Sequence, residues 1–354
     1  MPKKINDLLK IMVERKASDL HISAGASIQI RIDEKLVPID DHVLLPDESK
    51  ELAYSVLSEE QIKKFEHELE LDMAFGVKGL GRFRTNIFLQ RGTTCCAIRL
   101  IPDTIWTFEQ CGLPSNVVTD LCRKPKGLVL VTGATGSGKS TSLASMIDWI
   151  NNDRNCHIVT IEDPIEFLHS NKKAVVHQRE VFSDTHSFGK ALRHVLRQDP
   201  NVILIGELRD LETIESALII AETGHLVFAT LHTSDCVQTI NRIVDVFPAH
   251  QQQQIRTQLS FVLIGVLSQQ LIPKHGSDGR VLAMEILLSN PALRSLIRES
   301  KIHQVYSIMQ TSQKEGMKTM NQALYELYQK KLIAYEDAFA RTTDPDDLTR
   351  LFKK

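Results

Sequence analysis

The sequence predicts an α/β fold, in which a mostly parallel sheet with covering helices makes a large C-terminal domain and a smaller α+β domain precedes it. Two observations carry this. From Gly127 onward the apolar runs GLVLVT, HIVTIED, NVILIG and LVFATLH alternate with helical segments, and parallel strands require such crossover connections. Upstream, one amphipathic stretch and several short alternating strands are broken by glycines, without that rhythm. The length of 354 residues also exceeds what one hydrophobic core usually supports, which gives two domains.

Taken in order, residues 5 to 16 place Ile5, Leu8, Leu9, Met12 and Val13 on one helical face. SDLHIS, SIQIRID and KLVPI then read as short strands separated by Gly25 and by Asp33-Glu34. Residues 47 to 68 predict two helices, the second opened by Ser58 with Glu60 and Gln61 behind it. DMAFGV, GRFRTNIFLQ and TCCAIRLI follow as strands divided by Gly79, Gly81 and Gly92. This gives an N-terminal domain over 1–100. The stretch 101–116 holds two prolines and a glycine with no clear period and is assigned as the interdomain linker, and 117–354 forms the C-terminal domain. From Pro291 onward the pattern is a helical tail, with segments at Ala292 to Ser300, at Met317 to Lys331 and after Asp344-Pro345.

Composition narrows the class. Apolar residues are 42% and charged residues 24%, ordinary for a packed globular chain. The formal net charge of −2 offers no global positive field for nucleic acid. Six cysteines include no C-x-x-C pair, so they read as free thiols. The opening MPKKINDLLKIMVERK interrupts its apolar residues with charge and lacks a secretory signal pattern, which makes the cytoplasm the expected compartment. The most apolar window, Leu259 to Ile272, is too short to span a bilayer and reads as a buried helix, leaving any membrane association to partners.

Gly133-Ala134-Thr135-Gly136-Ser137-Gly138-Lys139-Ser140 fits G-x-x-x-x-G-K-[ST] between an apolar strand and a helix. In that context the glycines turn backbone N–H groups from Gly133 to Thr141 around a polyphosphate, Lys139 reaches the β- and γ-phosphates, and Ser140 ligates magnesium. ATP and Mg²⁺ are therefore the expected ligands. Hydrolysis further needs carboxylates near metal and water. Glu207, after the strand Val202 to Ile205, takes the metal-side position. Glu162, Asp163 and Glu166 cluster after the strand ending at Ile161, with Glu166 the first candidate for general base, Glu162 the second, and Asp163 a further metal-side acid. His232 follows a strand end where a γ-phosphate sensor would stand, and His225 precedes the same strand.

Together GATGSGKST, TIEDPIEF, LRQDPNVILIGELRD and TGHLVFATLHT resemble the Walker A, Asp box, atypical Walker B and His box of the secretion and type IV pilus ATPase superfamily. SDLHISAG and GRFRTNIF resemble its N-terminal domain, so the likeness covers nearly the whole chain. Ala292 to Glu299 resembles the C-terminal AIRNLIRE motif of its pilus-retraction members, departing at Leu293 and Ser295. The resemblance implies a RecA-like P-loop NTPase domain, a PAS-like N-terminal domain and a homohexamer with ATP between the domains. It also implies a hydrolytic motor for pilus retraction and twitching motility, docked at the cytoplasmic face of the inner membrane. Implied partners are an inner-membrane platform protein and a paralogous retraction ATPase. Arginines of the N-terminal domain are implied to reach the phosphates; Arg82 and Arg84 lead, then Arg99, with Arg197 and Arg209 as competitors in the C-terminal domain. A nucleotide-gated switch with little hydrolysis is disfavoured by the acid cluster. A secretion-type translocase is disfavoured by the C-terminal motif.

Overall fold

The computed structural model describes residues 4–32, 35–101 and 104–353. Asp33-Glu34 and two residues of the predicted linker, 102 and 103, lie outside the described residues. The chain divides into two units, 1–104 with 166–168, and 105–165 with 169–354.

In the first unit, α1 (Ile5–Glu14) buries Ile5, Leu8, Leu9 and Met12 on one face, as their spacing requires. Strands β1 (Asp19–Ile22), β2 (Ser27–Ile32) and β3 (Lys35–Val43) lead to helices α2 (Pro46–Tyr54) and α3 (Glu59–Glu68). Ser58 caps α3, accepting from the Gln61 N–H while the Gln61 side chain reaches back to the Ser58 amide. Strands β4 (Glu70–Val77), β5 (Gly81–Gln90) and β6 (Thr93–Ile101) complete a six-stranded sheet of order β3-β2-β1-β6-β5-β4, antiparallel throughout. Alternation along β5 sends Phe83 and Ile87 into the core with Leu8, Leu20 and Ile30, and leaves Arg82 and Arg84 on the opposite face. Arg99 is engaged elsewhere: its Nε donates to Asp19 Oδ1 at 2.8 Å across the β1–β6 pair. Burial opposes the charged form of Asp19, but hydrogen bonds from Ser18 and Arg99 win and hold its carboxyl below the usual range.

The second unit begins inside the predicted linker. Helices α4 (Phe108–Cys111) and α5 (Ser115–Arg123) come first, and Phe108 is buried against Trp149, with ring centroids 6.3 Å apart. Next come β7 (Gly127–Thr132), α6 (Lys139–Asp153), β8 (His157–Glu162), β9 (Val175–Glu180), α7 (Phe188–Val195), β10 (Val202–Ile205), α8 (Leu211–Glu222), β11 (Leu226–Leu231), α9 (Cys236–Asp245) and α10 (Ala249–Val262). A hairpin, β12 (Leu263–Pro273) and β13 (Arg280–Leu288), precedes the helical tail α11 (Pro291–Arg298), α12 (Val305–Thr311), α13 (Met320–Gln329), α14 (Tyr335–Arg341) and α15 (Pro345–Phe352). The seven-stranded sheet has the order β13-β12-β7-β11-β10-β8-β9 and is parallel except for the β12–β13 pair. Strands β7, β10 and β11 are buried along their whole length and β8 nearly so, which is why they read as unbroken apolar runs.

One expectation is corrected here. The window Leu259 to Ile272 is not a buried helix: α10 ends at Val262, and the following residues pair with β7 as β12. Gly265 lies so close to the Leu121 side chain that an added Cβ would sit 3.1 Å from it, and the strand passes through that narrow gap. Among the described residues no helix is long and apolar enough to cross a membrane, and the six cysteines are free.

Candidate nucleotide site

Parallel order brings the carboxyl ends of β7, β8, β10 and β11 to one edge, where open α/β sheets bind ligands. After β7 the chain enters the glycine loop. Gly133, Gly136 and Gly138 have φ of +137°, +77° and +88°, values that side chains other than glycine rarely tolerate. At Gly133 a Cβ would also strike the Gln269 carbonyl oxygen and the Ser137 hydroxyl. Ala134, Thr135 and Gly136 are exposed, whereas Ser137 is buried and its hydroxyl finds no partner among the described residues. Lys139, Ser140 and Thr141 form the first turn of α6, whose amides lack intrahelical acceptors. The Lys139 ammonium folds back over the loop and donates to Gly133 O at 2.8 Å and Ala134 O at 3.0 Å.

Lys139 is also the start of a polar chain. Its Nζ lies 3.4 Å from His232 Nδ1, and His232 Nε2 lies 3.4 Å from Glu207 Oε1. The ammonium has only protons to offer, so Nδ1 accepts and Nε2–H faces the carboxylate, which assigns the neutral tautomer. The second Glu207 oxygen accepts from Arg209 Nε at 2.8 Å, which occupies that arginine. Gly206, just before Glu207, fits where an added Cβ would sit 3.3 Å from the Glu162 Cα, so the ends of β8 and β10 close tightly.

The acid segment after β8 is laced to β9. Glu162 Oε1 accepts from Thr160 Oγ1 at 2.6 Å and from Gln178 Nε2 at 3.3 Å, while Gln178 Oε1 accepts the His169 N–H at 2.8 Å. Glu180, only 2% exposed, accepts the Ile165 N–H at 3.1 Å. Asp163 and Glu166 are exposed, and Glu166 falls within the short segment grouped with the N-terminal unit. Arg197 is exposed on the turn after α7. Sequence reading missed Gln178 and Glu180, because VVHQRE carries too few apolar residues to announce an edge strand.

His225 must be corrected. It precedes β11, and its carbonyl accepts from Gly127 at the start of β7. Its ring contacts Thr223 Oγ1 at 3.1 Å and Ile220 O at 3.2 Å. The six-residue strand separates it from the loop that carries His232, a rise of roughly 20 Å, so His225 stands at the opposite sheet edge from the phosphate loop.

A RecA-like parallel sheet, a glycine loop opening a helix, and acids and a histidine at neighbouring strand ends define an ATPase of the P-loop class. Residues 1–338 match the family model for type II/IV secretion system proteins, and the chain belongs to that family. It is 48% identical over 97% of its length, and 99% of the relative's, to the type IV pilus retraction ATPase PilT of Pseudomonas aeruginosa. It is 41% identical to the type IV pilus ATPase PilU of the same organism, covering 98% of this chain and 90% of that one. A crystal structure of the pilus retraction motor PilT with bound ADP superposes with a TM-score of 0.93 at 52% identity, covering 98% of this chain and 99% of the other.

Proposed function

We propose that this chain is the subunit of a homohexameric, magnesium-dependent ATP-hydrolysing motor that retracts type IV pili and so drives twitching motility. The observation that carries the hydrolytic part is the Lys139–His232–Glu207 chain, which links the phosphate-side cation to the metal-side acid through one neutral imidazole. The similarity to PilT over nearly the full length of both chains supports the retraction assignment.

The residues fit the ligands. The inward-turned glycine loop, the Ser137 hydroxyl, which has no partner among the described residues, and the Lys139 ammonium, lying over the loop carbonyls and beside His232, suit a polyphosphate. Among the described residues no three His, Cys, Asp or Glu side chains converge as a metal cage. Mg²⁺ takes most of its ligands from phosphate and water. Ser140 and Glu207 would hold it, with Asp163 beside them, and when bound it supplies positive charge to the β- and γ-phosphate oxygens. Backbone amides from Gly133 to Thr141 bind and orient the phosphates, and Lys139 exchanges its loop carbonyls for phosphate oxygens. Glu166, or Glu162 if the bound state turns it toward the water, accepts the proton of the attacking water. His232 reports on the γ-phosphate through the Lys139 ammonium that faces its Nδ1, and Arg82 and Arg84 supply further positive charge. The interdomain linker is placed in the part of the predicted segment 101–116 ahead of α4, since Phe108 already packs within the second unit, and there turnover becomes motion.

The motor works at the cytoplasmic face of the inner membrane through a pilus platform protein, and a paralogous retraction ATPase is a second expected partner. Phosphate release by Lys139→Ala tests the reading. Removing the ammonium should lower release by two orders of magnitude or more, as expected for losing a charged clamp on a transferring phosphoryl group. Release at the unsubstituted rate would refute it. Sedimentation with and without nucleotide tests the hexamer, and salt-dependent DNA binding would replace retraction with a translocase role.

A further inference from the structure

β13 contains one acid in an apolar run, Val281 to Leu288, and that acid, Glu285, is 4% exposed. A carboxylate there needs both oxygens satisfied. Glu285 Oε1 accepts the N–H of Cys236 at 2.7 Å and Oε2 accepts the N–H of Met320 at 3.2 Å. These are the first residues of α9 and α13, whose amides have no acceptor within their own helices. The helix caps Asp235 and Thr319 serve the amides three residues after them, at Gln238 and Gln322, so Glu285 fills a position that neither cap reaches.

The location gives this a consequence for the site. Leu231, Thr132, Ser268 and Glu285 form one row across β11, β7, β12 and β13. Leu231 immediately precedes His232, and Thr132 immediately precedes Gly133. Ser268 Oγ donates to Ser234 O at 2.9 Å, pinning the loop that carries His232 from the same row. On the other side, Ile286 exchanges backbone hydrogen bonds with Lys318, at 2.8 and 3.0 Å, just before α13. One buried carboxylate thus joins the His232 loop to the helical tail.

We propose that Glu285 is a positioning residue for ATP hydrolysis, holding the His232 loop through α9 in register with the tail helix α13. This rests on the ATPase reading above. Glutamine matches the shape of Glu285 but has one accepting oxygen, so in Glu285→Gln one helix amide faces an NH₂ group. ATP turnover and ADP affinity should separate: ADP affinity stays near that of the unsubstituted protein, and kcat falls roughly two- to thirtyfold. Amide exchange at Cys236 or Met320 should quicken in the same variant.

A second comparison keeps the test open should Glu285→Gln fail to fold. Met320→Pro and Met320→Ala both remove the buried side chain, but only proline removes the N–H, and the first position of a helix tolerates proline. The proline variant should turn over more slowly than the alanine variant by a similar factor. Equal turnover in that pair, or unchanged kcat in Glu285→Gln, overturns the assignment while leaving the ATPase reading intact. Loss of ADP binding in proportion to turnover reduces Glu285 to a stabilising role and also overturns it. An unsubstituted protein without Lys139-dependent phosphate release removes the ATPase reading, and this inference with it.

Discussion

His232 offers the sharpest test of the site, because its structural and functional contributions differ widely in size. Both ring contacts are 3.4 Å long, beyond the ordinary range for strong hydrogen bonds, so each contributes less than about 1 kcal/mol to the resting fold. The side chain is 43% exposed, so truncation opens no cavity. His232→Ala should therefore shift the melting temperature by no more than about 4 °C. On the proposed function, the same ring stands in turnover between the phosphate-side ammonium of Lys139 and the metal-side carboxylate of Glu207. Groups placed where charge develops contribute about 10² to 10³ in kcat. The two effects are read separately, by thermal unfolding and by steady-state phosphate release. The tautomer sharpens the test. Glutamine extends an amide to the Nε2 position and can still donate to Glu207, whereas asparagine ends near Nδ1 and cannot. His232→Gln should recover roughly tenfold of the lost kcat, the equivalent of one hydrogen bond to a charged group, and His232→Asn should recover little. Turnover of His232→Ala within twofold of the unsubstituted protein would refute the chain as catalytic machinery. Equal rates for the glutamine and asparagine variants would refute the assigned tautomer.

Two further outcomes follow from the same unit. Gly133→Ala places a Cβ against the Gln269 carbonyl at a φ of +137°, so it should cost about 1–3 kcal/mol in denaturant unfolding and sharply weaken ADP binding; unchanged binding would mean that the loop relaxes freely. His169 is held by burial at a pKa of about 4, against 6.5 when exposed, so between those values the unfolded chain binds more protons than the folded one. Its contribution is complete above pH 6.5 and is lost as pH falls toward 4, by up to about 3 kcal/mol, so unfolding at pH 7 and pH 5 should differ less in His169→Asn than in the unsubstituted protein.

The strand ends of the candidate site were legible because each apolar run passes directly into a glycine or a polar residue. Thr132 leads into Gly133, Ile161 into Glu162, Ile205 into Gly206-Glu207, and Leu231 into His232. A buried parallel strand writes itself as such a run, and its carboxyl end is where the next polar residue must emerge. That polarity separates His232 from His225, since residues before a strand in the same sheet emerge at the other edge. What periodicity could not supply was length. In 259–272 a short apolar stretch is equally consistent with helix and strand, and only pairing with β7 decides it. The N-terminal unit was readable from alternation and glycine breaks. Which of its arginines are occupied was not, because the Arg99–Asp19 pair joins residues on strands far apart in sequence.

The residues that escaped sequence reading share a physical reason. β9 and β13 are the two edge strands of the seven-stranded sheet, and each ends or carries a buried carboxylate, Glu180 at 2% and Glu285 at 4% exposure. Neither acid faces the phosphate loop by sequence position. Each accepts a backbone N–H from a segment of the candidate site or one adjoining it: Glu180 from Ile165 in the acid segment, Glu285 from Cys236 after the His232 loop. A central strand can set only the starting point of the loop that follows it. The far side of that loop needs a second anchor, and an edge strand is the neighbour with side chains to spare. Buried acids suit this work, because two acceptor oxygens can hold two amides that have no secondary-structure partner. The acids proposed to act on nucleotide and the buried acids that anchor the neighbouring loops are thus separated by strand position, central against edge, and only the first group sits in a pattern that a sequence displays.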